Sequence, residues 1–111
     1  MTDSEVDLLF HALADPTRRD ILQRTLNGEA SVSALAREYP MRLTAVQKHV
    51  AVLEKAGLVT KKRRGREQRV IGEMGAVARA RHRLDQYERI WRGRIDRMQS
   101  LLTDEIDGGT R

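Results

Sequence analysis

Between Val77 and Leu102 the apolar residues Val77, Ala80, Leu84, Tyr87, Trp91, Ile95, Met98, Leu101 and Leu102 recur every three or four positions, the spacing of one helix with one apolar stripe. Begun beyond Gly72 and Gly75 and ended near Glu105, that helix is roughly 45 Å long at ~1.5 Å per residue. A small core cannot cover it. The chain has 111 residues, 40% hydrophobic but only 4% aromatic, so it holds one compact module with a lean core. The stripe from Leu84 to Leu102 exceeds what such a core covers, and a second copy of the chain would bury it.

Ahead of the stripe, start and stop signals divide the chain into short helices. Ser4 is a candidate cap for a first helix carrying Val6, Leu9, Phe10 and Leu13. Asp15-Pro16 opens a second, with Asp as N-cap and Pro at the first helical position, and Asn27-Gly28 closes it. Ser31 opens a third with Val32, Leu35 and Ala36, which Tyr39-Pro40 breaks because proline drives its predecessor out of the helical region. A fourth, from about Arg42 to Ala56, carries Val46, Val50 and Leu53 inward and ends at Gly57 in a left-handed cap. Residues 58–60 and 68–71 are β-prone runs around a basic tip at 61–67, where Gly65 supplies the turn. The expected fold is mainly α with a small β-hairpin, one domain over residues 1–105 and a disordered tail over 106–111.

Charge is concentrated in one part of this plan. Over residues 42–69 the cations are Arg42, Lys48, Lys55, Lys61, Lys62, Arg63, Arg64, Arg66 and Arg69, against only Glu54 and Glu67. The segment therefore exceeds the whole chain's net +5, and everything outside it is net acidic. A merely solvated surface would mix the signs throughout. Confined to a helix-turn-helix and the hairpin behind it, the excess reads as a face for nucleic acid. Duplex DNA is the better match, since its ~12 Å major groove admits a helix, whereas the A-form RNA groove does not and single-strand binders need exposed aromatic platforms.

Other chemistries find little material. There are no cysteines, and His11, His49 and His82 are scattered, so neither thiolate sites nor a metal cluster is expected. No glycine-rich phosphate loop, nucleophile with a base, or carboxylate pair suggests catalysis, and no cofactor is implied. No apolar run reaches membrane-spanning length, the densest cation cluster lies on a hairpin where a membrane surface would require a basic amphipathic helix, and the acidic start does not resemble a signal peptide, so the expected location is cytoplasmic.

Three stretches, residues 12–22 (ALADPTRRDIL), 33–36 (SALA) and 45–59 (AVQKHVAVLEKAGLV), resemble the ArsR/SmtB family of winged helix-turn-helix repressors, and the likeness runs from about Val6 to Leu102. The resemblance implies a cytoplasmic homodimer joined through its first and last helices, which assigns Val6, Leu9, Phe10, Leu84, Tyr87, Trp91, Ile95 and Met98 to the interface. It also implies that the fourth helix and the hairpin wing bind a palindromic operator. Gln47 and Lys48 match the family positions that face DNA, and their side chains can pair with adenine and donate to guanine respectively. Thr44 follows, with Arg42 on phosphate and Lys62, Arg63, Arg64 and Arg66 on the wing. The chain departs from the metal-sensing members, since it has no cysteine pairs and only His82 and Asp85 as a His–Asp pair on the last helix. It also has Arg42-Leu43-Thr44 where the family often starts this helix with Ser and a polar residue, so base preference does not transfer. The sequence names no inducer.

Several residues keep two readings. His49 is either a DNA contact or a half-buried histidine bonded within the helix pair. Tyr87 and Trp91 either form interface core or line a small-molecule pocket. Arg18 and Arg19 either touch phosphate or pair with Asp15 and Asp20. Against the DNA-binding regulator stands an adaptor that docks a protein on the long helix, and the wing cations separate the two because an adaptor has no use for them.

Overall fold

The computed structural model describes residues 1–109, with side chains through Thr103; the tail expected over 106–111 lies outside the residues whose side chains are described. The described residues form five helices, α1 (Asp3–Leu13), α2 (Pro16–Asn27), α3 (Val32–Arg37), α4 (Leu43–Lys55) and α5 (Met74–Gly109), and three strands, β1 (Ala30–Ser31), β2 (Val59–Arg64) and β3 (Glu67–Gly72), in the order α1-α2-β1-α3-α4-β2-β3-α5. The contacts divide the chain into a unit spanning Met1–Ala80 and a second beginning at Arg81.

Capping chemistry sets the starts of the first three helices. Asp15 accepts from the Arg18 N–H with Pro16 in the first turn, and Ser31 accepts from the Ala34 N–H. The first helix begins earlier than Ser4 suggests: Thr2 is the cap, accepting from the Glu5 N–H, which brings Asp3 and Glu5 into the first turn beside the positive end of the helix dipole. Gly57, at φ 76°, follows α4 in the left-handed region, as the sequence predicts.

The sheet is antiparallel in the order β1-β3-β2. Its hairpin is longer than the β-prone runs, with pairs from Val59↔Gly72 out to Arg64↔Glu67 and only Gly65 and Arg66 in the turn. Exposed basic side chains leave the backbone ladder unaffected, so poor β-propensity at 61–64 does not stop the strand. β1 is absent from the sequence reading because two residues carry no periodicity; it pairs Ala30 with Val70 and Ser31 with Arg69. Gly72 ends β3 against the last turn of α2, where a Cβ would stand 2.7 Å from the Leu26 backbone nitrogen, so this close approach requires glycine.

The core of the first unit gathers Ala12, Ile21, Leu35, Val46, Val50, Leu53, Leu58, Val59, Val70 and Ala76. One interface assignment needs correcting. Leu9 is 1% exposed within a single chain, so its side chain has no surface left for a partner, whereas Phe10 is exposed and Val6 half-exposed. The spacing of α1 identifies the apolar face but not which of its residues the protomer's own core takes. In the second unit Leu84, Tyr87, Trp91 and Met98 are exposed and Ile95 is half-buried.

The link from α3 to α4 is tied to α2 by side chains. The Tyr39 hydroxyl donates to Asp20 Oδ2 at 2.5 Å, Arg24 Nε donates to the same oxygen at 2.8 Å, and the Arg24 guanidinium lies 5.7 Å from the Tyr39 ring centre. Burial, then donation to the Asp20 carboxylate, pushes the Tyr39 phenol up to about 12. The bonds from Tyr39 and then Arg24 hold the Asp20 carboxyl below its ordinary value. Because the folded value of Tyr39 lies above the unfolded ~10, its contribution is complete below pH ~10 and is lost as pH rises through about 12. Tyr39→Phe should therefore cost about 1 kcal/mol at neutral pH and reduce the further loss of stability between pH ~10 and ~12. Denaturant unfolding at pH 8 and pH 11 reads both effects.

Candidate nucleic-acid interface

On α4, Val46, Val50 and Leu53 are fully buried while Thr44, Gln47, Lys48 and Ala51 are exposed, as one turn per 3.6 residues requires. The helix thus presents one polar and basic face. Arg42 occupies its N-cap position, exposed and making no capping bond, so α4 differs from α1, α2 and α3 in having no side chain on its first-turn N–H groups.

His49 lies between these faces, half-buried. Its Nδ1 is 3.3 Å from Arg18 Nη1 and 3.9 Å from Asp15 Oδ2, which ties α4 to the start of α2. Among the described residues the guanidiniums of Arg18 and Arg19 make no ion pair with Asp15 or Asp20. Arg18 donates to the carbonyls of Ala12 and His11, both at 2.9 Å, and Arg19 donates to that of Leu13 at 2.7 Å. These are last-turn carbonyls of α1, where helix geometry leaves acceptors to spare; that of His11 also accepts from the Ala14 N–H, so the arginines complete the end of the helix. The Asp15 carboxyl is held below its ordinary value chiefly by the Arg18 backbone N–H, with the charges of His49 and Arg18 adding to it.

The hairpin register sorts the wing by face. Strand alternation places Lys61, Arg63 and Gln68 on the side of buried Val59 and Val70, and Thr60, Lys62, Arg64, Glu67 and Arg69 on the other. On the first side, Lys61 and Gln68 join Gln47, Val32 and Val50 around an open cavity of about 190 Å³ between α4 and the wing. Neither Lys61 nor Gln68 stands among the site residues read from the sequence. The signal that could have found them is strand parity, which needed a hairpin register that β-propensity does not supply.

Carboxylates already hold some of the cations. Lys61 Nζ is 3.3 Å from Glu54 Oε1, and Arg64 Nη1 is 2.7 Å from Glu29 Oε1. Arg69 lies 3.4 Å from Glu29 and 3.2 Å from Glu67. Among the described residues Arg42, Lys48, Lys62, Arg63 and Arg66 have no carboxylate partner, and Arg63 Nε reaches only the Gly65 carbonyl, at 3.5 Å. Elsewhere among the described residues no group of three His, Asp or Glu side chains could hold a metal ion, and no helix is long and apolar enough to cross a membrane.

A helix pair, an outward-facing second helix and an adjacent basic hairpin define a winged helix-turn-helix unit. A helix-turn-helix domain model matches residues 13–62. The HTH-type transcriptional regulator Rv2034 of Mycobacterium tuberculosis is 34% identical over 101 residues, covering 91% of this chain and 92% of the relative. Among solved structures, the ArsR family transcriptional regulator RHA00566 is 32% identical with a TM-score of 0.77, over 82% of this chain and 94% of that one. The homodimeric winged helix-turn-helix DNA-binding domain of Mb0332 from Mycobacterium bovis is 28% identical with a TM-score of 0.63, over 79% and 87%. The chain belongs to the ArsR family of helix-turn-helix transcriptional regulators.

Proposed function

We propose that the protein is a cytoplasmic, homodimeric repressor that binds a palindromic operator in double-stranded DNA. The observation that carries this reading is the polar outward face of α4 beside a wing whose Lys62, Arg63 and Arg66 have no carboxylate partner. Gln47 and Lys48 read base edges in the major groove, with Thr44 at the entry of the helix. Arg42, Lys62, Arg63 and Arg66 hold phosphate, which fixes register without distinguishing bases. His49 keeps α4 in place through Arg18 rather than touching DNA. The second copy is joined through Phe10 and Val6 of α1 and through Leu84, Tyr87, Trp91, Ile95 and Met98 of α5, which the apolar side chains left exposed there support; the homodimeric relative from M. bovis supports a dimer as such.

Selection from random duplex DNA by the purified protein tests the reading. A sequence with twofold symmetry and half-site centres about one helical turn apart is expected, and recovery of no preferred sequence would overturn it. On the selected site Gln47→Ala should weaken binding by ~1–3 kcal/mol, concentrated at one base pair in each half-site, while binding to random duplex stays unchanged. Equal weakening on both DNAs would take Gln47 off the base edges.

A further inference from the structure

Glu29 lies just before β1, and β1 pairs with β3, so the sheet carries this carboxylate to the outer side of the wing. There its Oε1 meets Arg64 Nη1 at 2.7 Å and Arg69 Nε at 3.4 Å, and its backbone carbonyl accepts from Arg69 Nη2 at 3.5 Å. Arg69 is largely enclosed and further held by Glu67 at 3.2 Å, so it serves the sheet. Arg64 is different. It ends β2 beside the turn, its side chain is 62% exposed, and among the described residues Glu29 is the one carboxylate it pairs with, although Glu67 stands opposite it in the hairpin register. An ion pair this open is weak in water and readily exchanged for another anion.

We propose that Glu29 is a positioning residue for the wing, one that competes with DNA phosphate for Arg64 and so limits the protein's sequence-independent grip. The inference rests on the DNA-binding reading above. While Glu29 holds it, Arg64 lies back against the edge of the sheet and the phosphate contacts fall to Lys62, Arg63 and Arg66. Neutralising Glu29 frees one more cation per protomer at the same point on the wing. Such a contact adds equally to operator and random duplex, because phosphate carries no sequence information.

The test is a salt titration of duplex binding by the native dimer, Glu29→Gln, Arg64→Ala and the double variant. Glu29→Gln should bind random duplex on the order of tenfold more tightly at ~50 mM salt, with a slope steeper by up to ~0.9 per protomer. Arg64→Ala alone should flatten the native slope by well under ~0.9 per protomer, and in the Glu29→Gln background it should reverse the gain. A bystander carboxylate of purely structural importance would not alter the slope in this paired way. An unchanged slope in Glu29→Gln, a gain that survives loss of Arg64, or a slope that flattens by ~0.9 per protomer in Arg64→Ala alone would overturn the inference while native binding still upholds the DNA-binding reading. Native protein that binds no duplex would overturn both.

Discussion

Trp91→Glu is expected to convert the protein from a dimer into a monomer or an unfolded chain at micromolar concentration. Trp91 is 57% exposed on α5, and the stripe on either side of it, Leu84, Tyr87 and Met98, is exposed to a similar degree. A single protomer leaves this row of large apolar side chains in water, more than scattered surface hydrophobics would explain. In a twofold interface each substitution occurs twice. Truncating a central aromatic costs ~2–4 kcal/mol, and glutamate adds the penalty of desolvating a charge, so the dimer dissociation constant should rise by at least about 10³. Sedimentation of the native and variant proteins decides the matter: a native monomer, or an unaltered folded dimer carrying glutamate, rules out this interface.

The features legible in the sequence are those with a local cause. Asp15-Pro16, Ser31 and Gly57 mark helix boundaries through capping chemistry within a few residues, and each stands in that role. Val46, Val50 and Leu53 lie inward because their spacing matches the helical turn, which also turns Gln47 and Lys48 outward. What escaped depends on partners distant in sequence. Glu29 lies 35 residues from Arg64, and nothing near either one predicts their meeting. Arg18 and Arg19 have acidic neighbours at 15 and 20, yet their guanidiniums turn to the carbonyls ending α1, a choice set by how α1 and α2 pack. Leu9 shares a stripe with Phe10, and only the tertiary structure separates the one buried in the core from the one left exposed.

The same division of charges governs how binding responds to salt. Arg42, Lys48, Lys62, Arg63 and Arg66 have no carboxylate partner among the described residues, and a dimer presents each of them twice. If six to ten of these contact phosphate, each contact steepens the dependence of log affinity on log salt by ~0.9, so affinity should fall on the order of 10³ to 10⁵ between ~50 and ~200 mM. Equilibrium titrations on one duplex at four salt concentrations measure the slope. The effect follows from release of condensed counterions, so it should be similar for operator and random DNA, whereas the Gln47→Ala loss should persist at every salt concentration. Lys61, Arg64 and Arg69 already face carboxylates within the protomer, and their contribution should be small in the native protein. Affinity that barely changes over this range would mean that the unpaired wing cations do not meet phosphate, and would favour an adaptor that uses α5 to hold a protein partner instead.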